Sequence, residues 1–152
     1  MASANQFTSS WAVGVGLNNV GSYQVSGRPF ASGSVNATSA VKVSFPNVTK
    51  WVQVINKAGT PLKVGFSEAG VRADANWTAT LGKAAGVAYF TVQSGSANGG
   101  VLGKSEVMEI KVSQLWLSGS SAVEVVAGLT NIYGGRAATS TGPNWSGSIG
   151  VG

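Results

Sequence analysis

Residues 106–130, EVMEIKVSQLWLSGSSAVEVVAGLT, hold two alternating apolar runs, 107–117 and 123–129, joined by a Ser/Gly turn. Strict alternation marks a half-buried strand, because successive side chains point to opposite faces of a pleated sheet. In the first run Met108, Ile110 and Val112 share one face, while Glu109, Lys111 and Ser113 share the other. In the second, Val123, Val125 and Ala127 face away from Glu124. The turn SGSS at 118–121 has the glycine and hydroxyls that suit a hairpin. The expectation is therefore a β-hairpin at the centre of a β-sandwich. One irregularity stands out. If the parity of Met108 continued, Gln114 and Trp116 would point inward and Leu115 and Leu117 outward. Either a bulge near Ser113 and Gln114 resets the phase, or both faces are covered from Leu115 on. On either account Leu115, Trp116 and Leu117 do not all face one core, and at least one of them meets a bulge, an arm or another subunit.

The remaining chain reads as more strands of the same kind. Residues 41–45 alternate, with Val41, Val43 and Phe45 inward, and Pro46 stops the run because proline cannot donate to a ladder. Residues 50–56 are apolar on both faces, Val52 and Val54 opposite Trp51 and Ile55, as in a central strand or one covered by a second subunit. Residues 57–61 read as a hairpin loop, and Leu62, Val64 and Phe66 as the next strand. Residues 87–93 form another strand, and 94–103 a loop. Residues 28–40, with Pro, Gly and Ser, read as loop-like. Residues 68–86 are the least patterned internal stretch, with a weak helical turn at 73–76, and are long for a connection in a compact domain. The N-terminal 27 residues contain WAVGVGL at 11–17 and read as two short strands or as an ordered arm on a neighbour. About eight short antiparallel strands with Gly/Pro turns give an all-β sandwich of two sheets, of jelly-roll or Greek-key type.

Composition narrows the function. A chain of 152 residues suggests one domain, 1–152, and can bury roughly 70% of its unfolded surface without disulfides or metal. There is no cysteine and no histidine, which removes the usual nucleophile–base pairs and most transition-metal sites. The five acids are Glu68, Asp74, Glu106, Glu109 and Glu124. Glu106 and Glu109 fall on opposite faces of a strand, and Glu68 and Asp74 sit in or beside a loop where they could converge only by chance, so the sequence sets no pair across a sugar as in a glycosidase. No enzyme activity, catalytic residue, cofactor or metal is expected. Charged residues are only 10% of the chain, below an ordinary domain, so much of the surface is expected to touch other protein. The net charge is +5, but no charge precedes Arg28 or follows Arg136, and the lysines are scattered. Nucleic-acid binding would cluster them to neutralise phosphates, so no direct nucleic acid is expected. Apolar runs are far shorter than the ~20 residues of a membrane span. Residues 1–27, uncharged, are expected to be packed as a segment or arm. Sequons occur at Asn36, Asn47, Asn76 and Asn144.

Three stretches resemble a known family. FPNVTKWVQVINKAGTPLKVGFSEAGV (45–71), KVSQLWLSGSSAVEVVAGLTNI (111–132) and GPNWSGSIGVG (142–152) look like the penton, or five-fold vertex, capsid proteins of large icosahedral double-stranded DNA viruses of algae and protists. The likeness extends over most of the chain from Gly27 onward. It implies a single jelly roll of about eight antiparallel strands, a homopentamer at the icosahedral vertex, and a place in the virion capsid. Its implied partners are its own copies and the surrounding capsomers of the major capsid protein, with minor capsid or vertex proteins as further candidates. The uncharged N-terminal segment fits that role, since coat proteins that pack a genome directly carry basic arms. Interfaces in such a ring are heterologous and close by rotation. Neutrality and aromatic content make the N-terminal segment, 68–86 and the 145–152 tail the candidate contact regions, with Phe7, Trp11, Tyr23, Trp77, Leu115, Leu117 and Trp145 as candidate interface residues. The rival expectation is a carbohydrate-binding β-sandwich module from a viral fibre or lectin, in which two or three rings would be exposed together beside polar groups. A third is a phage decoration or tail-associated protein.

Overall fold

The computed structural model describes residues 16–18, 20–23, 27–72, 88–95, 103–140, 142–148 and 150–151. Eight strands build two four-stranded antiparallel sheets. They are β1 (Arg28–Ala37), β2 (Val41–Ser44), β3 (Asn47–Asn56), β4 (Leu62–Gly65), β5 (Tyr89–Val92), β6 (Gly103–Lys104), β7 (Gln114–Ser118) and β8 (Ser120–Tyr133). One sheet has the order β1-β8-β3-β6 and the other β2-β7-β4-β5. A two-stranded ribbon, β9 (Ala138–Thr139) with β10 (Gly142–Pro143), follows a 3-10 turn at Gly134–Ala137. A single turn of helix, α1 (Glu68–Val71), follows β4. Ser67 caps it, its hydroxyl accepting from the Gly70 N–H at 3.0 Å, and Arg72 closes it with an ion pair to Glu68 at 2.8 Å. The weak helical turn expected at 73–76 lies outside the described residues.

The alternation of the sequence becomes the core. Val123, Val125, Ala127 and Leu129 of β8 and Val52 and Val54 of β3 come from one sheet. Val43 of β2, Leu62 and Val64 of β4, Val92 of β5, and Leu115 and Leu117 of β7 meet them from the other. Phe30 on β1 packs edge-to-face on Phe45, centroids 4.9 Å apart, across the open side of this core. Each fully buried aliphatic side chain contributes about 1.5–3 kcal/mol through the apolar surface it withdraws from water.

Two expected hairpins are corrected. Residues 118–121 join β7 to β8, which lie in opposite sheets, and residues 57–61 join β3 to β4, which also lie in opposite sheets. Both loops cross the sandwich. Among consecutive strands β1 to β8, only β4 and β5 share a sheet. The turn residues are the same for a hairpin and for a crossing. The choice falls to the apolar faces: in opposite sheets, Leu115 and Leu117 bury against Val123 and Val125 instead of lying beside them. The strand pairs are nested, β1 with β8, β2 with β7, β3 with β6 and β4 with β5, as if one long antiparallel ribbon had been rolled up.

The phase irregularity has its cause at Ser113. Up to Val112 the chain runs against β3. Met108 and Val52 exchange backbone hydrogen bonds, and the Thr49 N–H donates to the Val112 carbonyl at 2.9 Å. The Thr49 hydroxyl donates to the Ile110 carbonyl at 2.6 Å and accepts from the Val112 N–H at 3.1 Å. One residue later the Phe45 N–H donates to the Ser113 carbonyl at 2.9 Å, and β7 then pairs with β2 and β4. The run 107–117 is thus two segments, the first bonded to β3 of one sheet and the second, β7, a strand of the other, with Ser113 at the corner. The reset lets Val112, Leu115 and Leu117 all face the core and turns Trp116 outward. Of the two accounts of the irregularity, the structure shows the reset.

The loop-like reading of 28–40 is also corrected. Residues 28–37 form β1, which among the described residues is an edge strand paired with β8 alone. Pro29 is tolerated there because an edge strand has one side without ladder bonds. The pairing register shifts between Ser32 and Val35, where Ser34 takes φ 58°, and a bulge of this kind disturbs the alternation that sequence reading depends on. Residues 50–56 do form an interior strand, β3, between β8 and β6.

Candidate functional site

The two ends of the sandwich differ in construction. At one end lie the loop 57–61, the loop 118–121, the last residue of β1 and the residues after β5. The two loops and the residues after β5 are joined through Asn56, which is wholly buried at the end of β3. Its Nδ2 donates to the carbonyls of Thr60 at 2.7 Å and Gln93 at 3.1 Å. Its Oδ1 accepts from the Ser120 hydroxyl at 2.7 Å and the Ala58 N–H at 3.2 Å. The Thr60 hydroxyl donates to the Gly119 carbonyl at 2.9 Å, and the Gly119 N–H donates to the Ala37 carbonyl at 2.6 Å. Gly119 sits at φ 106°, in the left-handed region that favours glycine, and a Cβ there would lie 2.9 Å from the Pro61 carbonyl oxygen. One buried amide therefore uses both its donor and its acceptor capacity to hold three loops.

At the opposite end the chain gathers larger, half-buried side chains. Trp116 projects from the outer face of β7, between Lys42 on β2 and Gly65 on β4 in register. Gly65 is required there: a Cβ would sit 2.7 Å from the Val71 Cγ1 of α1 and 2.9 Å from the Ala88 carbonyl oxygen. Trp145, in the turn after β10, packs against the main core and against a smaller cluster of Val48, Ile132 and Ala137. Its indole N–H donates to the Phe66 carbonyl at 3.2 Å. The Ser67 hydroxyl donates to the Val151 carbonyl, so the C-terminal tail is tied to α1. Trp116, Trp145, Phe66, Gln114, Glu68 and Lys42 line a cleft of about 260 Å³ between them.

The candidate interface residues fall into three groups. Leu115 and Leu117 are fully buried, so neither is on the surface where a contact between subunits would form. The reset at Ser113 is the reason. Trp145 is half-buried and engaged within its own chain. Phe7, Trp11 and Trp77 lie outside the described residues, and of Tyr23 only the backbone is described, in a 3-10 turn at Val20–Tyr23. Sequence reasoning missed Trp116 as a surface ring and Asn56 as a hub. The bend at Ser113 was the available signal for the first. Nothing local marks the second, because its partners lie up to 64 residues away.

Among the described residues the large exposed apolar side chains are Val20, Tyr89, Val107 and Tyr133. The Lys63 ammonium sits 4.7 Å above the Tyr89 ring. Of the sequons, Asn36 and Asn144 are exposed, while Asn47 is buried and closed to glycosylation in the folded chain. Among the described residues no group of three or more acidic side chains converges to hold a metal ion, and no helix is long and apolar enough to cross a membrane. Compared with family models, curated proteins and solved structures, the chain matches none.

Proposed function

We propose that the chain is a structural capsid protein with a single jelly-roll domain. It forms a homopentamer at icosahedral five-fold vertices, contacts the surrounding major capsid protein capsomers and has no enzyme activity. The observation that carries the reading is the nested pairing of the eight strands into the orders β1-β8-β3-β6 and β2-β7-β4-β5. Two antiparallel sheets of four strands with nested pairing support a jelly roll, a double Greek key. A fold of this kind hosts many functions, so further support has to come from the surface. The chain has few charges, its uncharged first 27 residues lack the basic character of a genome-binding arm, and the three stretches 45–71, 111–132 and 142–152 resemble vertex proteins.

Self-assembly into a ring needs two different flanks that fit each other. Val20, Val107 and Tyr133 take the place of Leu115 and Leu117 as candidate contacts, because they are exposed where the two leucines are not. Native mass spectrometry of the purified chain tests the reading. The expected species has five times the 15.3 kDa mass of one chain. A chain that stays monomeric both alone and when mixed with major capsid protein overturns it.

A further inference from the structure

We propose that the cleft between Trp116 and Trp145 binds a single neutral pyranose unit of a glycan. The inference does not depend on pentamer formation. Its starting point is that Trp145 is held in place from behind and that Trp116 lies half-buried on the outer face of β7 across the cleft from it. Trp145 is anchored by its indole hydrogen bond to the Phe66 carbonyl and by core contacts. Trp116 stands on the central pair of strands in its sheet, with Lys42 on one side and the side-chain-free Gly65 on the other. A ring fixed like that of Trp145 loses little conformational freedom when a ligand arrives, and pre-organisation of that kind favours binding.

The other lining groups are the complement that a sugar requires. A pyranose presents an apolar face of C–H groups and a rim of hydroxyls that both donate and accept. Indole rings offer flat apolar surface to the face. Gln114 supplies an amide with two donors and an acceptor, Glu68 a carboxylate acceptor and Lys42 an ammonium donor, all lining the same cleft. Glu68 is already oriented by Arg72 at 2.8 Å. Lys42 and Glu68 put opposite charges on the same wall, so the cleft carries no strong field of one sign and suits a neutral ligand. The volume, about 260 Å³, lies below the range of pockets for drug-sized ligands and suits one ring with the rest of the glycan in solvent. Contact with one ring predicts weak binding, with a dissociation constant on the order of 1 mM.

The test is saturation-transfer difference NMR on the full chain with methyl glucoside, galactoside, mannoside, fucoside and N-acetylglucosaminide. At least one of these is expected to receive saturation at its ring C–H protons. Trp116→Ala and Gln114→Ala are each expected to weaken that binding at least about tenfold. Both residues lie on the outer face of β7, so the far-ultraviolet circular dichroism of the variants should match the parent. If no pyranoside receives saturation, or if folded Trp116→Ala and Gln114→Ala bind as the parent does, the proposal fails.

Discussion

The Asn56 end and the Trp116 end of the same sandwich solve opposite problems. At the first, small neutral residues and three loops are held by one buried amide whose hydrogen bonds all point inward. At the second, a one-turn helix, the tail and two indoles are arranged around a cleft that is open to solvent. The pinned end converts polar groups into rigidity. The open end keeps polar groups available beside aromatic surface. In a weakly charged chain the two ends thus differ in how polar groups are used: around one buried amide at the first, and along the wall of a cleft at the second.

That contrast can be broken by substitution. The largest effect is expected for Asn56→Ala, which leaves the Ser120 hydroxyl, the Ala58 N–H and two carbonyls without their partner. The loss should be about 4 kcal/mol, seen as a lower denaturation midpoint at unchanged slope. Next comes a pair that tests the reset at Ser113. Leu117→Ala empties core space and should cost about 3 kcal/mol, whereas Trp116→Ala, one residue away on the outer face, should cost under about 1 kcal/mol. Equal losses would mean that the phase was not reset. Gly119→Ala forces a Cβ onto a left-handed backbone facing Pro61, and should cost about 1–2 kcal/mol in thermal or chemical unfolding. The smallest effect is expected for Glu124→Gln. The 2.9 Å pair of Glu124 with Lys57 is about half exposed to solvent, and its removal should cost no more than about 0.5 kcal/mol and less still in high salt.

Much of the fold was legible as alternation. The strands at 41–45, 62–66, 87–93 and 123–129 are visible because one of their faces is buried and the other is not, and that is all a period of two records. What the pattern lacks is which sheet a strand joins. The turns 57–61 and 118–121 carry ordinary hairpin chemistry, yet both cross the sandwich, because loop residues constrain backbone angles and not the partner of the strand that follows. The edge strand β1 was missed for a related reason: bulges and Pro29 erase the alternation, and pairing with β8 alone restores it. The irregular parity of 107–117 was the most informative signal, since it marked the corner at Ser113. Read without that corner it assigns Leu115 and Leu117 to the surface; read with it, Trp116 is the residue on the outer face, where it is half-buried. The cleft was beyond reach, since Trp116 and Trp145 meet only after β8 and its following turn have brought the chain back to β4 and α1.

The placement of β7 and β8 in opposite sheets supports both the nested topology and the outward position of Trp116. It can be tested by disulfide trapping, and because the chain has no cysteine the result is easy to read. Lys42 and Trp116 are directly opposite on β2 and β7, with Cβ atoms close enough to bridge after modest adjustment. The double variant Lys42→Cys with Trp116→Cys is predicted to close under mild oxidation. The pair Trp116→Cys with Val123→Cys, which a simple hairpin through 118–121 would bring together, is predicted to stay reduced. Rapid closure of the second pair, with the first remaining open, would contradict the account.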